Sequence, residues 1–266
     1  MLKKIWIGLF IIIIGLIDVT AQEPTTRKNT TETKELGKTK ILIIPFENKM
    51  YMSEIDYYIN KETNLTQKQI RYEFRDGLNE QLFHAFKKRK FQPIDLMSDT
   101  VKYSKELKYI YNNITYDYVP IPDQNNYKPP VKPKKEKGIQ QGQIVADSDD
   151  ENKFMNTRVL NPSLVPYLYQ KFKADYYLFI NELDLKASVV NPTDFIPETA
   201  KRKIIVHYTC FSVDAKEINS GVAEIEAETK VNVPGKITKN YFSIIAETIA
   251  DRVLKQIAIQ SNTKKQ

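Results

Sequence analysis

The sequence predicts an α/β (α+β) domain, a mixed β-sheet of about five strands with two long amphipathic helices and one or two shorter ones packed on it. Three observations carry this. In the first half, apolar runs of strand length alternate with helical stripes. In the second half, three strand-like segments follow one another as a meander. A long helical stripe closes each half. Strand–helix–strand units favour parallel pairing and meanders favour antiparallel pairing, so one sheet holding both is mixed.

Ile41–Phe46 is a short apolar run rich in isoleucine, which suits a strand covered on both faces. It empties into Pro45-Phe46-Glu47-Asn48 rather than into a glycine loop. Residues 49–64 read as a polar, tyrosine-rich loop carrying Tyr51, Tyr57 and Tyr58. Thr66 with Gln69 three residues on is a capping-box signature. Behind it Ile70, Phe74, Leu78 and Leu82 recur every four residues, which predicts a helix over 66–89. Gly77 inside it costs about 1 kcal/mol against alanine and suggests close packing on a sheet. Lys87, Lys88, Arg89 and Lys90 place cations at the negative end of the helix dipole. The sharper reading of that cluster is a contact with an anionic surface.

Phe91–Leu96 is a second strand, and Pro93 puts it at an edge. Residues 100–111 suit a short helix. Residues 112–163 hold six prolines, a basic run at 132–137 and an acidic run at 147–151, and read as a disordered insertion in one domain. Leu164–Phe172 suits a short helix with Ser163 as N-cap. Ala174–Ile180 is strand-like and continues into the alternating Asn181–Leu185, as a strand leaving the core would. Lys203–Val213 is a further strand, Asp214–Gly221 a hairpin connection, and Val222–Val233 alternates with Glu224, Glu226 and Glu228 on a wet face. Tyr241, Ile245, Ile249, Val253 and Ile257 mark the second long helix.

The chain ends supply the rest of the organisation. Lys3-Lys4, the thirteen-residue apolar run Ile5–Ile17 and Val19-Thr20-Ala21 have the pattern of a cleaved secretory signal over 1–21. At 1.5 Å per residue the run spans about 20 Å, short of a hydrocarbon core of about 30 Å. A polar tether over 22–39, one domain over 40–260 with the insertion, and a polar tail over 261–266 follow. The only cysteine is Cys210, so a lipid anchor at the cleavage point, an internal disulfide and a cysteine zinc site are all excluded as readings. Export without disulfides suits a bacterial periplasm. The net charge of +7 fits a solvated surface, or peripheral attraction to an anionic membrane face. Export argues against nucleic acid.

The segments Lys40-Ile41-Leu42-Ile43-Ile44-Pro45-Phe46-Glu47-Asn48 and Lys173-Ala174-Asp175-Tyr176-Tyr177-Leu178 resemble two strand openings of an exported bacterial group. That group joins the N-terminal domain of TolB, the lipoprotein activators of penicillin-binding proteins and the CsgG secretion channel. The resemblance covers roughly 38–97 and 164–260. It implies a fold and a habit of binding envelope components without catalysis. This sequence departs from it in lacking the lipoprotein cysteine, channel hairpins and propeller repeats, and no site residue carries over.

Chemistry is sparse. There is no G-x-G-x-x-G, P-loop or G-x-S-x-G, and only eight glycines. Asp147, Asp149 and Glu151 alternate, but Asn152 and Arg158 stand where a calcium loop needs glycine and glutamate. His207 and Cys210, three apart on a strand, point to opposite faces. His84 borders a helix stripe. The expectation is therefore a non-enzymatic protein with no cofactor, no metal and no catalytic residue. It would bind an envelope protein or cell-wall assembly through Tyr51, Tyr57, Tyr58, Lys87, Lys88 and Arg89. The alternatives are a homo-oligomeric subunit of a secretion or motility assembly, and a hydrolase or small-molecule binder.

Overall fold

The structure is a computed structural model that describes residues 37–122, 139–140, 143–144, 153–187 and 201–263. The expected signal at 1–21, most of the tether, the acidic run and the tail after 263 lie outside these residues. Strand β1 (Lys40–Ile44) pairs in parallel with β3 (Gln92–Asp95) on one side and β8 (Tyr176–Lys186) on the other. The short β2 (Tyr51–Ser53) lies beyond β1 and also runs parallel to β8. Strands β9 (Lys201–Ser212) and β10 (Glu217–Glu228) complete the meander, antiparallel throughout. The sheet order is β10-β9-β8-β1-β3, a mixed sheet as the sequence predicts, with proline-bearing β3 at the edge.

Each sheet face has its own core. On the first face, Ile41, Ile43, Leu178, Ile180, Leu183, Leu185, Ile204, Val206, Tyr208 and Cys210 meet helices α2 (Gln67–Lys88) and α6 (Ser243–Thr263). The capping box forms as expected, with the Gln69 amide donating to the Thr66 hydroxyl and the Thr66 amide to the Gln69 side chain. Helix α6 follows a short helix, α5 (Pro234–Ile237), and a π-helical turn over Thr238–Phe242. Gly77 faces that turn and not the sheet. A Cβ at 77 would lie 2.6 Å from Thr238 Oγ1. On the second face, Leu42, Ile44, Tyr177 and Phe179 meet helices α3 (Ser104–Asn112) and α4 (Leu164–Phe172).

Several expectations are corrected. The segment after Asn48 is not a loop: it holds a 3₁₀ turn (Asn48–Met50), β2 and helix α1 (Asp56–Thr63). Helix α1 is mostly polar and buries Ile59 alone, so it lacks the apolar stripe that announces a helix. The insertion boundary at 112–163 is too wide. Its flanks form β4 (Ile114–Pro120) and β7 (Lys153–Val159), a fully registered antiparallel arm from Ile114↔Val159 to Pro120↔Lys153. Between them the described residues include only the two-residue strands β5 (Ile139–Gln140) and β6 (Gln143–Ile144). The β9–β10 connection is short, residues 213–216, and Gly221 lies inside β10, which ends at Glu228. Strand β8 does not leave the core after Ile180, because the arm covers it; Asn181, Glu182 and Asp184 are all buried. No helix of the described residues is long and apolar enough to cross a membrane.

Candidate functional site

The site starts from one irregularity in β8. Register shifts between Ile180 and Glu182 against β9. Before the shift the even residues Leu178 and Ile180 enter the first core; after it the odd residues Leu183 and Leu185 do. Side chains alternate across a strand, so one extra residue reverses the parity. The bulge thereby sends both Asn181 and Glu182 to the second face. Three rows then cross β8, β9 and β10 on that face: Glu182, His207, Val222; Asp184, Ile205, Glu224; Lys186, Lys203, Glu226.

The β4–β7 arm is bonded to this face by polar contacts. The Met155 amide donates to His207 Nδ1 at 2.8 Å. The Asn181 amide donates to the Met155 carbonyl at 2.7 Å and to Thr209 Oγ1 at 2.8 Å. Thr157 donates its hydroxyl to Asn181 Oδ1 at 2.6 Å. Tyr118 reaches down from the arm to both carboxyl oxygens of Glu182, at 3.1 Å each. These bonds satisfy groups whose burial would otherwise cost several kcal/mol in all.

Glu182, Asp184 and His207 form one buried cluster, with an oxygen or nitrogen from each within 4.8 Å of the others. Burial, then the neighbouring Asp184 charge, pushes Glu182 up to about 7. Burial pushes Asp184 up to about 6, against the pull of Lys186. The two carboxyls sit in one buried cluster, so these values belong to the pair, which holds a proton where an ordinary carboxyl has lost its own. Burial, then the Lys186 charge, pushes His207 down to about 3, and the imidazole is neutral. Because Nδ1 accepts the Met155 amide, the ring hydrogen sits on Nε2. Nε2 lies 3.8 Å from Glu182 Oε1 and 3.7 Å from Asp184 Oδ2, beyond hydrogen-bond length. A ligating imidazole presents one bare nitrogen and donates through the other. His207 does the reverse, so these three residues are set for hydrogen bonding rather than for holding a metal.

Above the cluster lies a cleft of about 330 Å³ between arm and sheet. Tyr118 and Lys153 come from the arm, and Lys186, Lys201, Lys203 and Ile205 from the sheet. None of the four lysines makes an ion pair among the described residues. Lys186 and Lys203 stand directly opposite each other in register. Like charges in that position are destabilising.

The residues singled out in the sequence lie elsewhere. Tyr51 is buried, stacks on Phe46 and donates its hydroxyl to Asp56 Oδ1 at 2.6 Å. Tyr58 packs against the first core, and of the three only Tyr57 is exposed. Lys87 lies over the Phe83 ring, and Lys88 pairs with Glu247 at 3.1 Å. Arg89 is engaged by Glu247 and Asp251 and by the Ala85 and Glu247 carbonyls, which ties α2 to α6. Tyr51, Tyr58 and Arg89 are thus structural, and none of the six lines the cleft. His84 is exposed beside Glu80, and Cys210 is buried on the face opposite His207, as expected. The cleft residues themselves were readable only through the parity change in β8. Alternation in Asn181–Leu185 looks like a wet strand until the arm that covers it is known.

No family model matches the chain, and no curated protein matches it. Among solved structures it is similar to the hypothetical protein CT253 from Chlamydia trachomatis, at 11% identity and a TM-score of 0.36, over 81% of this chain and 98% of that one. It is also similar to lipoprotein GNA1162 from Neisseria meningitidis, at 11% identity and a TM-score of 0.28, over 83% of this chain and 98% of that one. Neither is described as a TolB, a CsgG or an activator of penicillin-binding proteins. Both scores lie under the level that marks a shared fold.

Proposed function

We propose that this chain is an exported, non-enzymatic domain of the bacterial envelope that binds a partner in the cleft between arm and sheet. The observation that carries this is the wall of four lysines, without ion pairs among the described residues, over a buried carboxyl pair, built jointly by two elements. Charge of one sign gathered at the rim of a concavity is what a complementary partner neutralises. The signal-like N-terminus supports export. The strand openings that resemble the TolB and CsgG group support an envelope role.

A second reading has the raised carboxyl pair in its favour, since catalytic acids are tuned in this way. The pair's surroundings favour binding. Tyr118 engages both oxygens of Glu182, His207 stays neutral with Nδ1 engaged, and Cys210 lies across the sheet. No activated nucleophile adjoins the pair among the described residues.

A photo-crosslinking residue placed at Lys201 in intact cells tests the reading. An identified envelope component should be linked from 201 and not from 87, on the helix covering the other sheet face, and Lys203→Glu should abolish the link. Equal linking from both positions, or none from 201, overturns it. Substrate turnover by the purified chain that is lost in Glu182→Gln would instead establish the catalytic reading.

A further inference from the structure

We propose that the cleft binds an anionic saccharide, a polyhydroxylated ring bearing a phosphate or carboxylate. One of its hydroxyls bridges His207 Nε2–H and the Glu182–Asp184 carboxyls from the cleft side, and its anionic group sits on the lysines. The inference rests on the cleft being the binding site argued above.

The floor selects the hydroxyl. His207 Nε2–H has no acceptor within hydrogen-bond reach among the described residues; the carboxyl oxygens beside it are at 3.7 and 3.8 Å. Those oxygens, Asp184 Oδ2 and Glu182 Oε1, flank the imidazole. An atom resting over both groups from the cleft must accept from nitrogen and donate to oxygen. An ammonium donates but cannot accept. A bare metal ion would face the imidazole hydrogen. A phosphate or carboxylate oxygen would accept, but would be driven from the carboxyl pair by like charge. A hydroxyl does both.

The wall selects the anion. Lys186 and Lys203 face each other across β8 and β9, Lys201 follows two residues before Lys203, and Lys153 comes from the arm. Glu224 is the one acid in the wall, and Glu226 flanks Lys203 from β10, so the lysines outnumber the nearby rim acids. An oxyanion placed between Lys186 and Lys203 turns their repulsion into two charge-assisted hydrogen bonds. Both selections act within one cleft of about 330 Å³, at the small end of ligand pockets, so a single small molecule must carry both groups. The half-exposed Tyr118 ring and Ile205 give the C–H face of a sugar an apolar surface.

Calorimetric titration of the whole mature chain tests this with glucose 6-phosphate, glucuronate, glucose, inorganic phosphate and zinc chloride as probes. At least one of the two anionic sugars should bind about tenfold or more tightly than both glucose and inorganic phosphate. Lys203→Glu, at an exposed position, should weaken that binding at least about tenfold. Glu182→Gln, which keeps an acceptor for Tyr118, should weaken it without unfolding the chain. Inorganic phosphate binding as tightly as either anionic sugar would reduce the site to a lysine patch and overturn the proposal. So would glucose binding equally well, zinc binding stoichiometrically at the cluster, or heat from no probe. A link from position 201 in cells alongside no sugar binding would overturn the saccharide alone and leave the cleft as a binding site of other chemistry.

Discussion

Glu182→Gln isolates what the buried carboxyl pair does to stability. A carboxyl whose value is raised by folding binds its proton more tightly folded than unfolded, so stability falls as pH climbs from its unfolded value, about 4, through its folded one, about 7 for Glu182. His207 acts in the opposite sense. Folding holds it neutral down to about 3, so it adds stability as pH rises from there to its unfolded value near 6.5. Above about 6.5 only the carboxyl effect remains. His207 acts alike in both chains, so the urea midpoint of Glu182→Gln should gain steadily on that of the wild type as pH climbs from 6 to 8, with the variant ahead at pH 8 by something of the order of 2 kcal/mol. Parallel curves would mean that the pair shares no proton. Little of this was legible beforehand. The opposite faces of His207 and Cys210 follow from strand parity alone. The meeting of His207 with Glu182 needs the bulge at Asn181, whose trace in the sequence is the switch of apolar residues from 178 and 180 to 183 and 185. That trace can be read only against a known partner strand.

At the scale of elements, Gly77 sets how closely α2 approaches the turn that leads into α6. Alanine there gains about 1 kcal/mol of helix propensity. Its Cβ would also come within 2.6 Å of Thr238 Oγ1 and 2.7 Å of Cγ2, on a turn whose backbone the following helix fixes. Overpacking of that kind costs typically 1–3 kcal/mol, so Gly77→Ala should lower stability by roughly 1 kcal/mol net. Thr238→Ala removes both clashing atoms, and in that background Gly77→Ala should become neutral or stabilising. The double-mutant cycle reads the coupling directly, and an additive result would place the two helices farther apart. Long helices were legible because their stripes and caps are local: Thr66, Gln69 and the four-residue repeat suffice. Helix α1 was not, since Asp56–Thr63 buries Ile59 alone and earns its helicity from packing on α2. The Arg89 clamp was not, because its partners Glu247 and Asp251 come from the far end of the chain.

At the scale of the molecule, the sheet is finished differently on its two faces. One carries two long helices over a large apolar core, and the other divides between α3 with α4 and the polar contacts of the arm. The arm is held by its own ladder and by bonds from Tyr118, Met155 and Thr157, all within β4 and β7. Its register ends on the pair Pro120↔Lys153, which brings the two strands to hairpin separation. Replacing residues 121–152 by Asn-Gly should therefore close the arm as a tight hairpin. Each halving of a loop recovers only about 0.6 kcal/mol of closure entropy, so the thermal midpoint should stay level or rise by a few degrees. The His207 ring resonances, followed by NMR, should keep their wild-type shifts, because the Met155 amide that fixes the ring lies outside the replaced stretch. A midpoint lowered by more than about 5 °C, a loss of about 2 kcal/mol for a domain of this size, would show that the excised residues brace the arm. Altered His207 shifts with an unchanged midpoint would show that the arm holds its ladder but leaves the cleft floor, so that docking on the sheet, and not the hairpin itself, depends on what joins Pro120 to Lys153.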